Sequence, residues 1–241
     1  MIHRAARVGF ARSADAYERS RPGYPDEAIQ HLASHLAAGA RVLDLAAGTG
    51  KLTRPLLATG LDVVAVEPVP DMRAGLPAMV RALDGTAEAI PLADGSVDAV
   101  TVGQAFHWFD GEKALDEIHR VLRPWGMLGL IWNRRVEDDP VNRRISGLLA
   151  PYRGDTPTHR HDAWRSAFER TPLFEPLEER VFANEQVLDA QGVERRIGSI
   201  SFIAALGHDE RSRVLERARS LAGDGTVVVP YRCEVQVCRA R

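Results

Sequence analysis

Cysteine is scarce in this chain: 241 residues contain two, Cys233 and Cys238. They stand an odd number of residues apart in a β-branched run. Odd spacing along a strand turns side chains to opposite faces, so no bridge between them is expected. Long apolar runs are absent as well, which excludes a bilayer-spanning helix, and no signal-peptide pattern is legible. A net charge of −2 gives no general attraction for nucleic acid or anionic membranes. No internal repeat or low-complexity tract occurs. His159 and His161 share a loop without cysteine or carboxylate at ligand spacing, so no metal site is expected. A cytoplasmic enzyme, expected as a monomer or homodimer, fits these absences.

What is present has the composition of a globular protein, 45% apolar and 27% charged. The length suits one substantial domain with an added cap. The chain is organised around Arg41 to Glu67. The apolar run Val42-Leu43-Asp44-Leu45 reads as a strand broken by one acid. Ala46-Ala47-Gly48-Thr49-Gly50 reads as a turn of small residues, followed by a helical pattern that ends near Gly60. Val63-Val64-Ala65-Val66 is a second strand, stopping on Glu67. Strand, glycine turn, helix and acid-tipped strand make a nucleoside-binding βαβ unit. Small side chains let a ligand approach the backbone, and a carboxylate at the second strand's tip can accept both ribose hydroxyls. Pro55 is compatible with a helix that starts near Leu52, because the first four N–H groups of a helix have no partner within it.

The rest of the chain alternates helices and strands, so the fold class is α/β with a largely parallel sheet. A helix is expected around Ser13 to Arg19 and another from Asp26 to Leu36. After Pro68 a helix begins at Asp71, with Met72, Leu76, Met79 and Val80 expected in the core. Arg81 to Leu83, Val97 to Gly103 and Met127 to Trp132 read as strands, with a helix from Glu112 to Leu122. Arg123-Pro124-Trp125-Gly126 is the turn between the last two of these elements. Two helices, Val141 to Leu149 and Asp162 to Glu169, fall in a loosely patterned stretch that suits a substrate cap. A strand over Leu177 to Leu188, helices to Ile197 and over Asp209 to Leu221, and a strand over Thr226 to Val237 complete the chain. Pro230 argues for an edge strand or a bulge there.

Val42 to Gly50 resembles the first motif of class I S-adenosylmethionine-dependent methyltransferases. Glu67 resembles the acid at their second strand, and Gly85 to Pro91 their adenine-side loop. Val97-Asp98-Ala99-Val100 and Leu122 to Gly126 resemble their fourth strand and the turn into the fifth. Tyr17, Arg21, Pro22, Tyr24 and Pro25 are similar to the opening of a small-molecule branch that includes trans-aconitate methyltransferase-like proteins. The resemblance covers Tyr17 to Trp132. It implies a Rossmann-like seven-stranded sheet, mostly parallel with an antiparallel C-terminal strand, helices on both faces and a helical cap insertion. The implied layout is an N-terminal helical lid (1–40), a cofactor-binding core (41–132), a substrate cap (133–172) and C-terminal strands and helices (173–241).

The resemblance also implies roles. Asp44 would interact with the methionine amino group of S-adenosylmethionine. Ala46, Gly48 and Gly50 would allow close backbone approach. Glu67, followed by Pro68, would hold the ribose. Met72 would pack on the adenine, and Ala87 with Glu88 would contact its edge. Gln104 would close the methionyl side, with Tyr17 and Arg21 covering the cofactor. Ala46 and Ala47 stand where many members have Gly and Cys, and Thr86 stands where many have an acid.

A nicotinamide dehydrogenase is the rival reading, but its fingerprint needs a third glycine where this chain has Thr53. A cofactor binder that does not transfer methyl groups is the other, since methyl transfer asks mainly for alignment of nucleophile, methyl and sulfur. His107, just after the fourth strand and near Asp110, is the candidate general base. Its alternative is a pocket wall with Phe106, Trp108 and Phe109. Phe106, Trp108 and Trp132 fall at strand ends where an apolar acceptor pocket would lie.

Overall fold

The computed structural model describes residues 20–154 and 164–241. Tyr17, the helix expected at 13–19, His159, His161 and the start of the helix expected at 162–169 lie outside the described residues. Nine helices are described: α1 (Asp26–Ser34), α2 (Thr53–Ala58), α3 (Pro70–Arg73), α4 (Gly111–Val121), α5 (Pro140–Leu149), α6 (Arg165–Arg170), α7 (Ala190–Gly198), α8 (Ser201–Ala204) and α9 (His208–Arg219). The strands are β1 (Arg41–Leu45), β2 (Asp62–Val66), β3 (Arg81–Leu83), β4 (Val97–Gly103), β5 (Leu122–Arg135), β6 (Glu178–Asp189) and β7 (Thr226–Arg239). They form one seven-stranded sheet in the order β3-β2-β1-β4-β5-β7-β6. Strands β1 to β5 pair in parallel, and the sheet has the expected Rossmann-like layout, mostly parallel with an antiparallel C-terminal strand.

Strand order reverses beside β1, which pairs with β2 on one side and β4 on the other. In parallel sheets a ligand crevice opens at the carboxyl ends of the strands at such a switch point. The register places Asp44 beside Ala65 and Thr101, so the one acid in β1 sits in the middle of the switch.

The described residues fall into two compact units. The first holds Gly23–Asn133, Cys233–Arg241 and the described residues of Pro157–Phe182. Strands β1, β2, β4 and most of β5 are buried on both faces, as central parallel strands require, while the edge strand β3 is largely exposed. The alternate residues of the buried strands divide between two clusters. Leu43, Val64, Val100 and Leu128 pack with Leu115 and Ile118 of α4. Val42, Val63, Ala99 and Ile131 pack with Ile29 and Leu32 of α1. Cys233 belongs to the second cluster and Cys238 to the first, so the two free thiols lie on opposite faces as their spacing implies.

The second unit holds Ala183–Arg232, with the described residues of Met1–Pro22 and of Arg134–Thr156. Its core joins Ile145, Leu148 and Leu149 of α5 to Val193, Ile197, Val214 and Tyr231. Asp139 caps α5 by accepting the Asn142 N–H at 2.9 Å, and Asp189 caps α7 by accepting that of Gly192 at 2.6 Å. Such caps each contribute about 1 kcal/mol.

Three expectations are corrected. Helix α3 stops at Arg73, because Gly75 and Pro77 interrupt it. Met72, Leu76 and Val80 are still buried, but Met79 loses its helical phase and is 82% exposed. The segment Arg123 to Gly126 is not a free turn. It continues β5, with Trp125 at φ +64 and a register shift against β4 between Val97 and Ala99. Pro230 does not mark an edge strand, for β7 lies between β5 and β6. Its carbonyl accepts from the Val136 N–H at 3.2 Å and from Asn142 Nδ2 at 2.8 Å.

Candidate functional site

The turn after β1 takes the left-handed conformation at three residues, Ala46 (φ +57), Gly48 (φ +59) and Gly50 (φ +91). At Gly50 the packing is close as well: a Cβ would lie 3.2 Å from the side chains of Arg54, Leu76 and Pro77, which would have to give way. Ala46 carries a Cβ in that conformation, which costs about 1–2 kcal/mol. The turn is tied to β2 by the Ala47 N–H, which donates to the Val66 carbonyl at 3.1 Å. Arg54 braces it from the other side, donating at 2.8 Å to the carbonyls of both Thr49 and Gly75. Helix α2 begins at Thr53, not at the glycines, so Pro55 falls in its first turn and removes no helical hydrogen bond.

That late start places Thr53 under the end of β1. Its Oγ1 donates to Asp44 Oδ2 at 2.6 Å, and both residues are buried. Asp44 Oδ1 has no hydrogen-bond partner among the described residues. A buried carboxylate with one bare oxygen resists ionisation. Burial, partly offset by the Thr53 hydrogen bond and reinforced by the charge of Glu67, raises the Asp44 pKa to about 7.

Glu67, 6% exposed at the tip of β2, turns toward the same turn. Its Oε2 accepts the Gly48 N–H and its Oε1 the Val69 N–H, each at 2.9 Å. Each carboxylate oxygen offers two lone-pair sites, so both keep capacity for further donors. Burial raises the Glu67 pKa, and these two N–H bonds with the nearby Arg73 guanidinium pull it back. Arg73 in turn donates to the Glu67 carbonyl and to Asp84 Oδ1.

Met72, buried in α3, closes the near side: a Cβ on Gly48 would stand 3.8 Å from its Sδ. Pro68 sits half-buried between Glu67 and Val69. Beyond β3 the Gly85 to Pro91 loop folds tightly, and a Cβ on Gly85 would meet Pro91 Cδ at 2.5 Å. Helix α4 secures this loop. Glu117 Oε2 accepts the Ile90 N–H at 2.8 Å, and Arg120 donates to the carbonyls of Ile90 and Leu92 and to Asp94. Within the loop Ala87 is buried, and Glu88 Oε1 accepts the Asp110 N–H at 3.0 Å. At the end of β4, Gln104 takes φ +59 and its N–H donates to the Ile131 carbonyl at 3.0 Å.

His107 lies in a short 3₁₀ turn, Phe106–Trp108. Its ring centroid is 4.8 Å from that of Trp108 and 5.7 Å from that of Trp132. Burial lowers its pKa to about 4, so the imidazole is neutral at physiological pH. Asp110 is exposed, and its carboxylate pairs with Lys113 Nζ at 2.7 Å. Behind His107 an aromatic stack continues from Trp132 to Trp164 (5.4 Å) and on to Phe168 and Phe106.

Asp44, Ala46, Gly48, Gly50, Glu67, Pro68 and Met72 thus gather at one turn, while Ala87, Glu88 and Gln104 stand on the loops after β3 and β4. Arg21 belongs to the second unit, where its Nη2 donates to the Ser199 carbonyl at 2.9 Å. Sequence reading did not single out Thr53, Arg54 or Arg73 as parts of the site. Thr53 carried a signal nonetheless: a hydroxyl at the first position of a helix that follows a strand acid.

A reversed strand order, a left-handed turn of small residues and two buried acids define an enzyme class. Residues 43–130 match the family model described as a methyltransferase domain. The chain belongs to the class I S-adenosylmethionine-dependent methyltransferases. It is 42% identical to an uncharacterised methyltransferase of Mycobacterium bovis over 96% of this chain and 94% of the relative. A second uncharacterised methyltransferase-like protein, from Schizosaccharomyces pombe, is 35% identical over 85% of this chain and 82% of its own. A solved structure from Anaeromyxobacter dehalogenans, provisionally assigned as a type II methyltransferase, superposes with a TM-score of 0.66. It is 24% identical and covers 91% of this chain and 97% of its own. Phosphoethanolamine N-methyltransferase 2 of Haemonchus contortus, solved with phosphomonomethylethanolamine and S-adenosylhomocysteine, has a TM-score of 0.58. It is 16% identical and covers 97% of this chain and 59% of its own. No helix among the described residues is long and apolar enough to cross a membrane.

Proposed function

We propose that the protein binds S-adenosylmethionine at the β1 turn and methylates a small organic acceptor by direct displacement. The observation that carries this reading is Asp44 Oδ1, a buried carboxylate oxygen left bare at the topological switch. An ammonium group is the ligand chemistry that would satisfy it. Glu67 supplies lone pairs for two ribose hydroxyls on the β2 side, with Pro68 beside it. Met72 offers an apolar face for adenine, Ala87 and Glu88 its edge contacts, and Gln104 the boundary on the methionyl side. Tyr17 and Arg21 are assigned to the cover over the cofactor.

When bound, S-adenosylmethionine supplies an electrophilic methyl on a sulfonium leaving group. The chain's own part is to orient the acceptor and keep water out. A His107 with a pKa near 4 is a weak base at neutral pH, so its reading here is a neutral hydrogen-bonding wall next to the aromatic stack. An acceptor whose nucleophile carries no proton at the moment of attack fits that wall best. We further read the chain as one methyltransferase domain, with the segment from Asn133 to Pro172 as its substrate cap. Two unbridged buried thiols favour the cytoplasm. Calorimetric titration tests the reading: S-adenosylmethionine or S-adenosylhomocysteine should bind and NADH should not, and the reverse result sinks it. A screen of small acids, phenols and amines for methylated products then identifies the acceptor.

A further inference from the structure

The glycine that ends β4 is hemmed in by a tyrosine that no motif assigns to the site. A Cβ at Gly103 would lie 2.7 Å from the Tyr24 hydroxyl, and 3.4 and 3.5 Å from Cδ2 and Cβ of Leu52. Leu52 closes the cofactor turn immediately before α2. Asp44 pairs with Thr101, so two residues further along both strands Gly103 comes level with Ala46, the first residue of that turn. The Tyr24 hydroxyl therefore stands at the carboxyl end of β4, where β4 and the turn meet. Gly103 has negative φ, so the backbone does not ask for glycine there; the room taken by the hydroxyl does.

The position of Tyr24 is set from β5. Asn133 is 8% exposed, and its Nδ2 donates at 2.9 Å to the carbonyl of Gly23, the residue before Tyr24. The peptide that carries the tyrosine is thus fixed to the strand next to β4. Across the sheet, Glu67 ends β2, Asp44 leads into the turn from β1, and Tyr24 covers the end of β4. With ribose on Glu67 and the amino group on Asp44, the next strand along receives the carboxylate end of the ligand's amino acid. A phenolic O–H is a suitable donor to it.

We infer that Tyr24 is a cofactor-binding residue whose hydroxyl engages the amino-acid end of S-adenosylmethionine, that Asn133 is its positioning residue, and that Gly103 is glycine to admit it. This rests on the cofactor reading above. The test is titration of S-adenosylhomocysteine into the full chain and its Tyr24→Phe, Gly103→Ala and Asn133→Ala variants, and into Gly103→Ala and Asn133→Ala made on Tyr24→Phe. Tyr24→Phe is expected to raise Kd about tenfold, the loss of one hydrogen bond to a charged group. Gly103→Ala and Asn133→Ala should each weaken binding about fivefold or more alone, and less than about twofold once the hydroxyl is gone, because both act through it. A Tyr24→Phe loss below about fivefold overturns the inference, as do Gly103→Ala or Asn133→Ala effects that persist in full on that background. If the unaltered chain itself fails to bind S-adenosylhomocysteine, the cofactor reading falls and this inference with it. Unaltered binding with an indifferent Tyr24→Phe removes this inference alone.

Discussion

The Gly48 N–H donates to Glu67 Oε2 at 2.9 Å, joining the glycine turn of β1 to the acid at the tip of β2. One carboxylate thereby fixes the shape of the turn while presenting its remaining lone pairs above it. Removing it should harm both. Glu67→Ala is expected to weaken S-adenosylhomocysteine binding by at least about tenfold and to lower stability by about 1–3 kcal/mol, since the buried Val69 N–H and the part-buried Gly48 N–H lose their acceptor. Calorimetry and urea unfolding measure the two effects. Unchanged affinity would remove Glu67 from the site.

Asp44 and His107 make opposing contributions to the pH dependence of stability. The Asp44 pKa is raised to about 7, so the folded chain holds a proton that the unfolded chain releases near 3.8. Its contribution is therefore present at low pH and is lost as pH rises toward 7. The His107 pKa is lowered to about 4 from 6.5, so its contribution is present above 6.5 and is lost as pH falls toward 4. Asp44→Asn should leave a profile that climbs with pH across this window, and His107→Phe one that declines. Denaturant midpoints across the range, compared with the unaltered chain, test both slopes.

Cofactor binding should release protons below neutral pH. An ammonium against Asp44 Oδ1 favours the ionised carboxylate, so a site that is protonated when empty loses its proton when filled. Titrating S-adenosylhomocysteine at about pH 6 in buffers of differing ionisation enthalpy should show this release in the unaltered chain and not in Asp44→Asn. Observed heats that do not vary with the ionisation enthalpy of the buffer would argue against contact between Asp44 and the amino group.

Ala46 is a site for gain. At φ +57 its Cβ is strained, and glycine removes that strain while adding freedom to the unfolded chain. Ala46→Gly is expected to raise stability by up to about 1 kcal/mol. A rise in melting temperature with unaltered S-adenosylhomocysteine affinity is the expected pair of results.

Much of this site was legible because its parts are local. The spacing from Asp44 through Gly48 and Gly50 to Glu67 is a single βαβ unit, and Pro55 indicated where its helix could begin. What escaped depends on distant partners. Nothing near Asn133 in the chain shows that it will hold Gly23, 110 positions away. Nothing near Gly103 shows that a tyrosine hydroxyl will claim its side-chain space. Met79 kept helical phase on paper, but Gly75 and Pro77 ended the helix before that phase could apply. Pro230 was read by its missing N–H alone. Its carbonyl, which accepts two donors, is what the strand uses. Periodicity reports which face a residue takes within an element. It does not report which element arrives to meet it.

The tryptophans give the protein an optical signature. Trp132 is 1% exposed and Trp164 9%, with ring centroids 5.4 Å apart, whereas Trp125 is 65% exposed. Indoles that close exchange excitation energy, and the neighbouring His107 ring lies within contact range of Trp132. Blue-shifted emission from the inner pair contrasts with water-relaxed emission at Trp125, and half-buried Trp108, its ring centroid 4.8 Å from that of His107, contributes between them. An acceptor settling against the His107 wall would then announce itself as a change of colour, before any product is formed.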